Sequence, residues 1–238
     1  MAGIQDYWEF VDDFIGAGTF VASAGLDPWV ITDTSSSGTP TYARLDHGET
    51  SGAFRPGVAQ LAFDSQTEAQ NVCLSFGDKL AFDINSLRGF ECGLKFVAQT
   101  GSVKDTTTTL AFGVTGDRAD AIDSITIASI FRLASGSAVQ TMVVESDDNV
   151  NNNDDVDCGF SLTDNTWAKF KIDFSDLRNV KFYGGLSSGA MQRFGRSTTF
   201  DMSNYGAGLQ PFFQLQKTSD SNTDAVQIDY VKLWGVRL

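Results

Sequence analysis

AVQIDYVKLWGVRL, running from Ala225 to Leu238, is the stretch whose reading decides the fold. Val226, Ile228, Tyr230, Trp234, Val236 and Leu238 share one parity, broken only by Lys232. Gln227, Asp229, Gly235 and Arg237 share the other, with Val231 and Leu233 among them. Alternation with period two marks a strand with one buried face. Val231 and Leu233 imply partial cover on the second face as well. A strand this apolar must be paired and covered, which predicts a central place in a sheet. The SDSN run and Asp224 before it supply the turn that feeds it.

Working outward, other segments repeat the pattern. From Trp167 to Phe174, Ala168, Phe170, Ile172 and Phe174 point one way and Lys169, Lys171 and Asp173 the other. Ile125, Ile127, Phe131 and Leu133 share a face of a strand over 124–133. Ala138 to Glu145 is expected to pair with it across the turn containing Gly136. Further strands are expected over 58–63, 72–76, 79–84, 90–99, 107–114, 180–183, 198–202 and 209–217, and Thr41 to His47 reads as one more. Asp33–Pro40, the polar tract 146–157 and residues 184–197 read as loops. At the N-terminus an arm over 1–10 leads into a strand over 10–14, stopped by Gly16 and Gly18. About a dozen short strands with Gly, Asn, Asp and Ser turns, and no long helical pattern, predict an all-β, two-sheet antiparallel sandwich. There is no repeat and no break in composition, so residues 11–238 are read as one domain.

The 238 residues carry a net charge of −13. No Lys or Arg precedes Arg44, and seven acids separate Arg132 from Lys169. Such a charge disfavours nucleic acid and anionic membranes as partners. No apolar run approaches membrane-spanning length, and the first residues lack the basic and apolar regions of a secretory leader. Three cysteines, Cys73, Cys92 and Cys158, are an odd count with no zinc spacing. They are expected as free thiols.

Taken together, DDF before a Gly-rich turn, FECGLKF, WAKFKIDF followed by NVKFYGG, and QPFFQLQK followed by AVQIDYVKLW resemble the concanavalin A-like (laminin G-like) jelly rolls, most of all those of tailed phages. The resemblance runs from about Asp12 to Trp234. It implies a jelly roll whose first and last strands lie side by side. It further implies a capsid decoration or cement protein on the virion surface, made in the host cytoplasm. Such a protein would bind the major capsid protein and would commonly be a homotrimer. The same fold also implies a second role, a lectin-like module that binds a glycan.

Glycanases share this fold, and one group carries E-x-D-x-x-E on a strand. Here Glu145 and Asp147 match, but Val150 stands at the second glutamate. The leaving group then has no proton donor, so the chain is read as a non-enzyme with no cofactor. His47, flanked by Asp46 and Glu49, lacks a nucleophile partner and a second histidine. The one metal the sequence suits is Ca²⁺. Asn153, Asp155 and Asp157 alternate as early loop ligands do, although Cys158 and Asp164 replace the glycine and the bidentate glutamate of that pattern. Asp117, Asp120 and Asp123 form a weaker cluster. Trp8, Trp29, Trp167, Tyr183 and Tyr205 are the aromatics that could stack on sugars. Trp167 and Trp234 are expected in the core. Tyr7, Trp8, Phe10 and Trp29 are expected to contact a partner.

Overall fold

The computed structural model describes residues 6–15, 18–22, 27–45, 57–99, 104–134, 136 and 140–238. Two antiparallel sheets form the sandwich. One contains β1 (Tyr7–Asp12), β2 (Gly18–Thr19), β4 (Thr41–Leu45), β5 (Val58–Ala62), β8 (Leu87–Val97), β13 (Trp167–Asp173), β14 (Lys181–Leu186), β15 (Gln192–Arg193) and β17 (Ala225–Val236). Its order is β15-β14-β13-β8-β17-β5-β4-β2, with β1 also against β17. The other runs β12 (Asn152–Ser161), β11 (Thr141–Asp148), β10 (Ile127–Leu133), β9 (Thr108–Thr115), β16 (Gly208–Lys217), β6 (Gln70–Ser75) and β3 (Val30–Asp33), with β7 (Phe82–Asp83) against β16.

The last strand is central, as its sequence required. β8 lies along one edge of β17. Along the other edge, β5 pairs with Ala225–Ile228 and β1 with Val231–Val236. The first and last strands are therefore neighbours, with Tyr7 opposite Val236. Its faces differ from the simple alternation. An irregularity between Ile228 and Tyr230 inserts one residue, Asp229, against β8. A bulge reverses the parity beyond it. Val226 and Ile228 before it, and Val231 and Leu233 after it, are fully buried. Tyr230, Lys232 and Trp234 face outward.

Between the sheets lies an aromatic core: Phe112 contacts Phe131, Phe170 and Phe213, and Phe131 contacts Phe182 and Phe194. Cys73 and Cys92 are buried free thiols, and Cys158 is half-buried and also free. Burial pushes the Cys73 thiol up to about 12.

Several expected elements differ. The strand expected over 10–14 is β1, which starts at Tyr7, so the last four residues of the arm are sheet; Phe14 follows it as a buried residue with φ 51°. The polar tract over 146–157 is not a loop. It is the end of β11, a tight turn at Asn149–Asn151 and the first half of β12. β12 is an edge strand, so water and not a core sets its composition. Residues 198–202 make only an isolated bridge, Val180 to Phe200. Residues 79–84 contribute only β7.

Candidate functional site

The outer face of the eight-stranded sheet is crossed by residues 116–126, held down at several points. The Asp120 carbonyl accepts hydrogen bonds from Asn71 Nδ2 at 3.1 Å and Gln214 Nε2 at 2.9 Å, and another from Gln216. The Arg118 amide donates to Asp78 at 2.8 Å. Ile122 and Ile125 on this strap pack on Ala128, Ile130, Ala111 and Phe212, forming a second apolar cluster. Asp120 and Asp123 of the weak acidic cluster are thus strap residues, each salt-bridged to an arginine.

Between the strap and β10, β11 and β12 opens a pocket of about 290 Å³. Ile122, Ile125, Ala128 and Ile130 give it an apolar wall, and Asp123, Asp147, Asn152, Asp154 and Asp155 line it with acceptors. Arg132 and Glu145 line it as well. Ile130 is opposite Glu145 across the β10–β11 ladder, which brings Arg132 diagonally within reach of that carboxylate. Arg132 Nη1 donates to Glu145 Oε1 at 2.8 Å and to Asp123 Oδ1 at 2.6 Å, and lies 3.8 Å from Asp155 Oδ1. One guanidinium therefore ties the strap, β11 and β12 together. Burial opposes its charge, but the Glu145 hydrogen bond and the surrounding carboxylates outweigh that and raise its pKa. Burial dominates at Glu145, whose side chain is 11% exposed. Its carboxyl is pushed up to about 7, Asp155 adding to the effect and Arg132 opposing it. Asp147 is also raised, by burial first.

Glu145 and Asp147 share the outward face of β11, whereas Val150 lies in the β11–β12 turn and is 73% exposed. Asp148, between them in sequence, points inward. It accepts from the Val150 and Asn151 amides at 3.0 and 2.7 Å and from the Asn204 amide at 3.0 Å, pinning the hairpin to the 201–205 loop.

The three residues suited to Ca²⁺ do not converge. A register shift in the β11–β12 ladder falls between the Val144 and Ser146 pairs, and Asp155 has φ 49°. Asn153 is turned towards Ser146 Oγ and the Thr199 carbonyl, Asp155 towards Arg132, and Asp157 accepts from the Gly159 amide at 2.8 Å. Among the described residues no group of three or more His, Cys, Asp or Glu side chains is placed to hold a metal ion. His47 lies outside the described residues.

The aromatic candidates are redistributed. Trp29 is fully buried against Phe10, Phe14, Phe76 and Phe213, which corrects the expectation of a contact residue. Phe10 and Trp8 are half-buried, Phe10 on Phe76 and Trp8 stacked on Phe82 at 5.4 Å. Period two in β1 turns both inward and leaves Tyr7 outward, 73% exposed. Tyr205 is half-buried, its hydroxyl donating to the Gly208 carbonyl at 2.7 Å. Trp167 and Trp234, expected in the core, lie instead with Tyr183 on the outer face of the nine-stranded sheet. Trp167 precedes the buried Ala168 on the lysine parity of β13, and the bulge at Asp229 moves Trp234. Sequence reading missed Arg132 as a site residue. Its signal was a lone arginine sharing a parity with Ala128 and Ile130 in an otherwise apolar strand.

No family model and no curated protein matches this chain in sequence. Its structure does match solved ones. A protein of unknown function from Shewanella oneidensis MR-1 superposes with a TM-score of 0.57 at 15% identity, over 98% of this chain and 88% of that one. The lectin UEA-II, solved with galactose, gives 0.56 at 10% identity over 99% and 100%. The carbohydrate recognition domain of Emp47p gives 0.55 at 11% identity over 88% and 89%. At these identities the likeness shows the fold, a concanavalin A-like jelly roll of the lectin type.

Proposed function

We propose that this protein is a non-catalytic carbohydrate-binding module that takes a sugar in the Arg132 pocket. One observation carries the reading: a fixed guanidinium and carboxyl and amide acceptors face an apolar wall within one pocket of about 290 Å³. Hydroxyls need donors and acceptors, and the C–H face of a pyranose needs apolar contact. Two of the solved structures sharing the fold are a lectin and a carbohydrate recognition domain, which supports it. Catalysis is not proposed, because Glu145 is engaged by Arg132 and the matching second glutamate is Val150. The test is a panel of neutral and acidic glycans with the wild type and Arg132→Met. Binding of at least one glycan, lost in Arg132→Met, is expected. No binding across the panel overturns the reading. No Ca²⁺ is invoked, so a chelator should leave the melting temperature unchanged; a drop of several degrees would restore a metal.

A second reading, a virion decoration protein bound to a capsid as a homotrimer, is favoured by a different observation. Tyr7, Val11 and Ile15 are 73%, 47% and 72% exposed along β1 and its continuation. Apolar side chains left together at a surface suit burial against a partner. Light scattering over a dilution series tests the trimer, and cosedimentation with head shells tests the docking. Tyr7→Ser with Val11→Ser should abolish both; a monomer that ignores shells excludes this reading.

A further inference from the structure

The outer face of the nine-stranded sheet holds a second pocket, on the opposite side of the sandwich from Arg132. It measures about 330 Å³ and is bounded by Tyr7, Glu9, Glu91, Lys171, Lys232 and Trp234. The ladders place its side chains in rows. Lys171, Glu91 and Lys232 are direct neighbours across β13, β8 and β17, and Gly89, Trp234 and Glu9 form the next row across β8, β17 and β1.

We propose that this pocket binds a sugar acid, a pyranose carrying a carboxylate, with its ring on Trp234 and its acid group on Lys171. The indole is laid flat by its neighbour: a Cβ on Gly89 would stand 2.1 Å from Trp234 Cζ2, so the ring covers the bare backbone of β8. One face lies on the sheet; the other is turned outward with the Lys171 and Lys232 ammoniums over the ring, and the C–H face of a pyranose would stack beside them. Tyr230 covers Gly93 in the same way two rows along, beyond Glu91, and its hydroxyl donates to Glu91 Oε1 at 2.6 Å. That bond fixes Glu91 as an acceptor for sugar hydroxyls. The Lys171 ammonium stands 5.4 Å from the Trp234 ring centroid and 6.0 Å from that of Tyr183. It forms no ion pair among the described residues. Lys232 also stands over Trp234, 5.7 Å from its centroid, but it is ion-paired with Glu9 at 2.6 Å. In a chain of net charge −13, an ammonium held by two rings, with its neighbour Glu91 turned to the Tyr230 hydroxyl, is a local anchor for an anion. A neutral sugar would cover this charge without supplying an acceptor of equal strength, so the site discriminates by the acid group.

The site does not depend on the Arg132 pocket, and the test separates the two. Calorimetric titrations use the full chain with D-galacturonate, tri-galacturonate and D-galactose. Galacturonate should bind at least about tenfold more tightly than galactose. Lys171→Met and Trp234→Ala should each remove that preference, and Arg132→Met should leave it intact. Lys171→Met guards against misfolding of the tryptophan variant, because Lys171 is half-exposed and bonded only to ring faces. Tighter binding of the trisaccharide would identify an acidic polysaccharide as the source; equal binding would identify a single terminal residue. The proposal is overturned if galacturonate and galactose bind alike, if galacturonate fails to bind at millimolar concentrations, or if Lys171→Met leaves its affinity unchanged. A preference lost in Arg132→Met but kept in Lys171→Met would transfer it to the first pocket.

Discussion

Trp29 Nε1 donates a hydrogen bond to Asp12 Oδ2 at 2.7 Å, while Asp12 Oδ1 accepts from the Phe14 amide at the same distance. One carboxylate thus caps β1 and fixes the largest buried side chain of the core. Trp29→Phe keeps the aromatic volume but leaves the carboxylate oxygen without its donor. We expect a loss of about 1–3 kcal/mol in urea unfolding. Asp12→Asn with Trp29→Phe should cost less than the sum of the two single changes; strict additivity would show that the bond contributes nothing.

The flat seating of Trp234 on Gly89 gives a second expectation. Gly89→Ala places a methyl group where the indole lies, at a cost of about 1–3 kcal/mol. In the Trp234→Ala background the same substitution should cost much less. A coupling energy below about 0.5 kcal/mol in this cycle would mean that the ring is not held there.

Lys217 is 2% exposed. Its ammonium donates to the carbonyls of Asp64, Gln66 and Asn222 at 2.8, 2.7 and 3.1 Å. Burial lowers its pKa, yet the three carbonyls hold it as a structural cation joining two loops to β16. Lys217→Met leaves them unmatched and should destabilise by about 3 kcal/mol. Equal denaturation midpoints for the two proteins would contradict this.

Glu145 carries a pH signature. Its folded pKa of about 7 stands above the ordinary 4.5. The native state therefore holds the proton where the unfolded chain has released it. The resulting stability is full below about pH 4.5, falls as the pH rises and is gone above about 7. The gap between the two corresponds to roughly 3 kcal/mol. Glu145→Gln cannot ionise and should show a flatter stability profile through this window. Asp147, also raised, leaves a residual slope of the same sign. Parallel profiles for wild type and variant would place the proton elsewhere.

The sandwich was legible because its strands alternate cleanly. β13 and β16 appear almost residue for residue where Trp167–Phe174 and Leu209–Lys217 predict them, and the central place of β17 follows from its apolar content. Reading stops where geometry breaks a period without changing composition. The bulge at Asp229 leaves no mark except Lys232 on the supposed core face, so Trp234 was assigned to the wrong side. Polar composition hid β12, because an edge strand borders water. Trp29 escapes the reading because it lies just ahead of β3, whose four residues are too short to show a period. The Arg132–Glu145 pair was out of reach for another reason: the side chains are 13 residues apart and meet only once the β10–β11 register is known.

The place of β17 also sets an order of events. β1, β5 and β8 each use Ala225–Val236 as their common partner, and a ribosome makes those residues after all three. Until they emerge, β8 lacks its inner neighbour and β1 has nothing to pair with. The nine-stranded sheet must therefore close after synthesis of residue 236, as a late step joining distant segments, and such steps are slow. A nascent chain halted before residue 225 would present unpaired edges to its surroundings, and quality control would meet it as an open sheet.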